Sequence, residues 1–478
     1  MRKLVCATLS SAMLLSVFSF TACGKGEGLS RYKIDAEYLP EEQKLVATME
    51  ASIFNRTDVA LPALEFQLWP NAYRENATHP PVAEPYVAAA YYGGPSYGGI
   101  EITSCEGAEI TYKGEDSTLL VAKLPKELYP DERATLKFSF EVQLASINHR
   151  LGAGEHAVNL ANFYPVLCAY GKNGFYECEY SPNGDPFVTD CADYDVTLAV
   201  PKSYTVAGAE RAGEKGDSAL FTLQAKNVRD VAFVLSEHFQ KVETTVNATP
   251  VQYYYIDDKS PTHALGVAAD SLSFYKRTFG DYDYPCYTVV QTDFPYGGME
   301  YPMLSMISLS LREGEVAAVV AHETAHQWWY AMVGSDQYNE AWQDEGLAEY
   351  SVALFWNAHP QYGGSYQEAV ALSEKSYRAF FSVYSQVSGS SDTRMSRPLT
   401  EYSGLYEYRS IAYDKGVILF DRVRAVAGER KVLRALSLYA KRYGGKIASA
   451  ADLVACFVDA GAHVAELFTS FTEGLCVI

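Results

Sequence analysis

Two hydrophobic rhythms divide the chain. From about Ser30 to Val246, apolar and polar residues alternate in short runs: "YKIDAEY", "KLVATMEASIF", "LEFQLWP", "TLLVAKL", "TLKFSFEVQLA" and "DYDVTLAV". A period of two sends successive side chains to opposite faces, so each run predicts a strand with one apolar face. Turn-forming clusters such as "NRTD", "YKGED" and "SPNGD" separate the runs. This pattern argues for an antiparallel sandwich or saddle-shaped sheet, not a parallel core covered by helices. Beyond Thr249 the period lengthens. "VQYYYID", "CYTVVQTDF" and "MLSMISLSL" still read as strands, and "THALGVAADSLSFYKRTFG" reads as an amphipathic helix stopped at Gly280. After Gly314 nearly everything is helical, through "EVAAVVAHETAHQWWYAMVG", "AWQDEGLAEYSVALFWNAH", "AVALSEKSYRAFFSVYSQV" and "YEYRSIAYDKGVILFDRVRAVAG" to a small helical layer at the end.

The fold class that follows is multi-domain α+β. A β-sandwich or saddle domain is expected over 31–247, and a domain with a small sheet and a mainly α-helical part over 248–478. A length of 478 residues is enough for two or three such cores. The 59 Asp+Glu against 39 Lys+Arg give a net charge of -20, a field that repels nucleic acid and anionic lipid.

Ahead of the first strand, Arg2 and Lys3 precede an apolar run from Leu4 to Phe20, the form of a secretory signal over 1–22. Cys23 follows in "FTAC", which resembles the lipobox of bacterial lipoproteins, with Phe20 where Leu is usual. The resemblance implies lipidation at Cys23, a Gly-rich tether over 23–30, and residence on the extracytoplasmic face of a bacterial membrane; the alternative is a secreted protein. Membrane contact is then expected only through that anchor. The nine cysteines show no C-x-x-C spacing and hence no cysteine metal site; Cys168, Cys178 and Cys191 are near enough in sequence to pair.

The candidate chemistry centres on "HETAH" at 322–326. On a helix, His322 and His326 lie one turn apart on one face, where neutral imidazoles can grip one Zn²⁺. Glu323 beside them can serve as general base. A catalytic zinc takes a third protein ligand and keeps one position open. "NEAWQDEGLAEY" offers Asp344, Glu345 and Glu349, and eighteen residues (327–344) separate His326 from Glu345. That gap accommodates a helix end, a turn and a second helix packed on the first. Glu345 is assigned to the metal. Glu349, one turn on, is expected to orient His322 through a hydrogen bond.

H-E-x-x-H, eighteen residues, then Glu within W-x-x-E-G resembles the gluzincin zinc aminopeptidases, the family of aminopeptidase N. That family places a G-[GA]-M-E-N strand ahead of the zinc helix, and "GGMEY" stands at Gly297–Tyr301, with Tyr301 in place of Asn. The resemblance implies that Glu300 captures the free α-ammonium of a peptide and that the backbone of Gly297, Gly298 and Met299 runs beside it. It implies an oxyanion-donating Tyr413 in "IAYDKGV", with Tyr408 as the fallback. It also implies a thermolysin-like catalytic domain with one Zn²⁺ per chain, in a short form without the family's C-terminal superhelical domain. "LEFQLWPNAYR" looks like the family's N-terminal domain, and Glu155 is the candidate for its second amine anchor. The expected function is zinc-dependent removal of N-terminal residues from peptides. A thermolysin-type endopeptidase and a non-catalytic peptide-binding surface lipoprotein are the alternatives.

Overall fold

The computed structural model of the chain describes residues 28–388 and 392–474. The expected signal segment, Cys23 and most of the tether lie outside the described residues.

Alternation is realised strand by strand. Ser30–Leu39 turns Ser30, Tyr32, Ile34, Ala36 and Tyr38 inward and the side chains between them outward. It sits near the middle of a seven-stranded sheet, between Lys44–Phe54 and Ala192–Pro201, with Arg133–Gln143 and Gly99–Glu106 on one flank and Ser218–Val228 and Glu210–Lys215 on the other. The sheet is antiparallel except at one pair. Ser30–Leu39 and Ala192–Pro201 run parallel, in register from Ser30↔Ala192 to Glu37↔Ala199. A period of two fixes which face is buried and is silent on strand direction, so the wholly antiparallel expectation is corrected there. A four-stranded antiparallel sheet containing Leu61–Gln67 and Leu119–Leu128 packs over it, with Phe66 edge-on to Phe138 at 5.3 Å. Together they form the expected sandwich. A smaller sheet, from Leu151–Ala153, Val158–Ala161, Thr205–Ala207 and Ala232–Ser236, carries the β half to the helical half.

The second half opens on a five-stranded sheet ordered Gln240–Val246, Thr249–Tyr255, Tyr287–Thr292, Leu304–Ser308, Gly298–Tyr301. Its first strand is Gln240–Val246, hydrogen-bonded antiparallel to Thr249–Tyr255. The sheet therefore starts ahead of residue 248, because a tight turn at Asn247 and Ala248, both at positive φ, folds one strand back on the other. Helices Pro261–Phe279, Glu313–Ala325, Trp342–Ala358, Tyr366–Ser388, Lys415–Ala427, Glu429–Tyr443, Ala450–Asp459 and Ala465–Thr472 make up most of the rest. The helix carrying His322 stops at Ala325, short of the predicted run to Gly334. Tyr330 adopts φ 151°, and the chain leaves through turns into a two-residue strand, Val333–Gly334, paired with Lys446–Ile447.

Among the described residues the cysteines Cys105, Cys168, Cys178, Cys191, Cys286 and Cys456 are all free. No described helix is long and apolar enough to cross a membrane.

Candidate metal centre and peptide cleft

The helix Glu313–Ala325 presents Ala317, Val320, Ala321, Thr324 and Ala325 to the core, and Tyr275 ties it to the preceding long helix by donating to the Ala321 carbonyl at 3.1 Å. This burial fixes the roll of the helix and so aims His322 and Glu323. His326, the residue just past its end, is held by its own ring. Its Nδ1 lies 2.9 Å from the Trp329 carbonyl. A carbonyl oxygen only accepts, so Nδ1 carries the hydrogen and Nε2 keeps a free lone pair. That Nε2 faces His322 Nε2 at 3.0 Å.

Glu345 closes the triangle. Its Oε2 is 3.3 Å from both imidazole Nε2 atoms, and it is buried without a hydrogen-bond partner. Two imidazoles and a carboxylate form the only such metal-ligating trio among the described residues. Tetrahedral zinc with bonds of about 2.0–2.1 Å separates its ligands by about 3.3 Å, so the trio fits that ion without rearrangement. Burial pushes both histidines toward neutrality, but the surrounding carboxylates, Glu345 first for His322 and Glu300 for His326, more than reverse it. The cluster attracts positive charge.

A close helix contact brings in the next group. A Cβ on Gly416 would lie 2.6 Å from the Gly346 backbone, so only glycine permits the helices Trp342–Ala358 and Lys415–Ala427 to touch there. The segment Arg409–Asp414 entering the second of these is a π-helical turn, a form frequent at functional sites. It sets the Tyr413 hydroxyl 2.5 Å from Glu345 Oε1, with the ring stacked on His322. Tyr408 is farther, at 3.4 Å from the same oxygen. Of the two tyrosines, Tyr413 is thus the nearer to the trio.

The strand Gly298–Tyr301 pairs with Leu304–Ser308 on one side only, at the edge of its sheet. Gly298 lies against Glu323: a Cβ there would fall 2.3 Å from the Glu323 carboxylate. Gly297, just ahead, accepts the Ser308 N–H at 3.0 Å through its carbonyl, and Met299 is buried. Glu300 is 4% exposed, and its Oε1 has no partner. Burial raises its pKa well above the carboxylate range; His326 pulls it back, and Asp185, Glu345 and Glu323 push it further. Glu323 is also raised by burial, to about 7, against the opposing pull of His322 and His326. Its Oε2 is likewise buried and unpartnered.

Two expectations meet a different geometry. Glu349 Oε2 stands 3.8 Å from His322 Nδ1, an electrostatic pair too long for the expected hydrogen bond. Glu349 is the one part-exposed residue between Trp342 and Trp356, and there solvent competes for the contact. Glu155 is exposed on the surface, with its N–H donated to Asn148. The β half instead sends in Asp185, from the "SPNGD" turn, where it pairs with Arg150 and adds negative potential at Glu300, Glu323, Tyr408 and Tyr413. Next to it Gly184 is pressed on the Tyr408 ring. A turn cluster in a β domain carries no local signal for this, since the contact spans the two halves.

Asp414, beside Tyr413, is raised to about 7 by burial and then by Glu349, with Arg409 opposing. A carboxyl whose folded pKa lies above its unfolded value favours the fold when protonated, and that preference is lost as pH rises from about 4 to about 7. Asp414→Asn is therefore expected to match the wild type in thermal stability near pH 4 and to exceed it by pH 8, by no more than about 4 kcal/mol. Melting curves across that range measure it.

Residues 263–471, which include Glu300, His322, Glu323, His326, Glu345 and Tyr413, match the family model described as the Peptidase family M1 domain. That match covers a little under half of the chain. Human endoplasmic reticulum aminopeptidase 2 is 24% identical over 369 residues, covering 72% of this chain and 37% of that protein. Rice aminopeptidase M1-C is 29% identical over 232 residues, covering 44% of this chain and 25% of the relative. The chain thus spans between a quarter and two fifths of these curated relatives' length. In fold, the M1 zinc metallopeptidase of Deinococcus radiodurans superposes with a TM-score of 0.65 at 18% identity, over 95% of this chain and 96% of that one. The β half preceding the matched residues is included in that superposition.

Proposed function

We propose that this chain is a zinc aminopeptidase that removes the N-terminal residue of peptides bearing a free amine. The observation that carries the reading is Glu300: a buried, unpartnered carboxylate on a free strand edge, one pleat from the glycine that touches Glu323. An extended peptide adding to that edge would put its α-ammonium at Glu300 and its first carbonyl near the trio. The aminopeptidase names of the human and rice relatives support the same activity.

His322, His326 and Glu345 would hold the ion. Zinc bound there supplies Lewis acidity that polarises a carbonyl and makes water a better acid. Glu323, titrating near 7, accepts the proton of the attacking water on its free Oε2 and passes it to the departing amine. Tyr413 turns its hydroxyl from Glu345 to the developing oxyanion. Glu300 sets the register, so that only the first peptide bond comes into place. Glu349 balances His322 from behind.

Hydrolysis of a free peptide alongside its N-acetylated twin tests the reading. The free form is expected to be cut and the blocked one spared; equal cleavage would mark an endopeptidase. Tyr413→Phe is expected to lower kcat on the order of 10²-fold with KM little changed, because the hydroxyl acts on the transition state. Steady-state kinetics of the variant check this.

A further inference from the structure

Two adjacent residues of the β half reach both sides of the cleft. Arg229 and Asp230 join the strands Ser218–Val228 and Ala232–Ser236, and each is 1% exposed. Arg229 Nε donates to the Tyr330 carbonyl at 2.7 Å, and Nη2 donates to the carbonyls of Met332, at 3.2 Å, and Lys446. Nη1 donates to Thr189 at 2.8 Å, anchoring the fork to its own half. Carbonyls in three directions call for a planar, multiply donating guanidinium, which a lysine cannot imitate. What the fork grips is the turn after the His326 ring. Tyr330 holds its strained φ of 151° there, and the preceding carbonyl, that of Trp329, is the one that fixes His326 Nδ1.

Asp230 points to the other side. Its carboxylate accepts from the Tyr164 hydroxyl at 2.8 Å, from its neighbour Val231 N–H at 2.7 Å, and from the Asn162 side-chain amide. With the amide nitrogen so engaged, Asn162 Oδ1 is left to accept the Tyr301 hydroxyl at 3.0 Å. Tyr301 directly follows Glu300, and its carbonyl accepts from Gln327, the residue after His326, at 3.1 Å. The tyrosine that replaces the family's asparagine in "GGMEY" is thus the outer link of this chain of bonds.

We propose that Arg229 and Asp230 form a latch by which the β half positions His326 for metal and Glu300 for the substrate amine. Both act through other groups and are positioning residues. The Glu300 arm rests on the aminopeptidase reading; the metal arm does not.

The test uses full-length Arg229→Lys and Tyr301→Phe. Zn²⁺ affinity is read by competition with a chromogenic chelator, site geometry by the visible spectrum of the Co²⁺-loaded protein, and KM and kcat on a free-amine peptide. Arg229→Lys is expected to weaken Zn²⁺ binding on the order of tenfold and to shift the cobalt bands. Tyr301→Phe is expected to keep Zn²⁺ affinity within about twofold while raising KM about tenfold, with kcat moved less. If both variants merely lose thermal stability, with metal affinity, cobalt spectrum and KM unchanged in the folded molecules, the latch is overturned. Should Arg229→Lys fail to fold, Tyr301→Phe decides the Glu300 arm, since it removes one hydroxyl and keeps the ring, and Arg229→Gln, read by the same chelator and cobalt measurements, decides the metal arm. A wild type that binds zinc but cuts no peptide would end the aminopeptidase reading, and the chelator and cobalt measurements would still decide the metal arm.

Discussion

Glu323→Gln is expected to lower kcat on a free-amine peptide on the order of 10³-fold while leaving zinc uptake unchanged. Glutamine keeps the volume of the side chain, so the contact with Gly298 survives and the three ligands stay where they are. What disappears is the one group in the cleft that is both buried without a partner and poised to titrate at about 7. A base whose pKa burial has raised toward neutrality can both receive a proton and give it back. Residual hydrolysis in the variant should therefore lose the wild type's rise with pH through the neutral range. Metal content measured beside the kinetics separates loss of the base from loss of the ion. A fully metal-loaded Glu323→Gln with wild-type kcat would remove Glu323 from the mechanism.

Glu300→Gln should cut kcat/KM for free-amine peptides by about 10²- to 10³-fold, the usual result of taking one partner from a buried charge pair. The free-to-acetylated preference should shrink with it, because the amide no longer discriminates an ammonium from a blocked nitrogen. A second effect runs the other way. The Glu300 carboxyl is raised well above its ordinary range, first by burial, so its ionisation opposes folding once the pH exceeds the ordinary carboxylate value. Glutamine has no such charge, and Glu300→Gln is expected to melt at a higher temperature than the wild type at pH 8 and near the same temperature at pH 4. A variant that is less active and more stable is the mark of a residue kept for function against the interest of the fold. Loss of both activity and stability would instead assign Glu300 to the core.

Most of the trio was readable because its information is local. His322 and His326 are one helical turn apart, and Glu345 follows after a single turn between packed helices, so spacing alone brings them together. The same holds for the strands, where Tyr32, Ile34, Ala36 and Tyr38 alternate without interruption. Contacts that span the chain left no such mark. The parallel pairing of Ser30 with Ala192, the approach of Asp185 to the cleft, and the hydrogen bond from Arg229 to Lys446 each join residues far apart in sequence. The helix end at Ala325 was hidden for another reason. "HQWWYAM" has good helical patterning, and its departure follows from the bonds that hold Tyr330 at φ 151°. Propensity is a weak prior where tertiary bonds decide.

The π turn at Arg409–Asp414 also bears on how tolerant this chain is to change in length. A π turn holds more residues than an α turn, so the helix beyond it is rotated from the phase it would have if the coil were regular. Relaxing the segment to ordinary α geometry at its present length would swing Tyr413 roughly a quarter turn around the axis, whereas losing one residue from 409–412 at the same time would nearly cancel that rotation. Point substitution at those positions leaves the phase intact. The position of Tyr413, the proposed oxyanion donor, is thus set by counting as much as by chemistry: the wide turn and its extra residue have to be kept together or lost together.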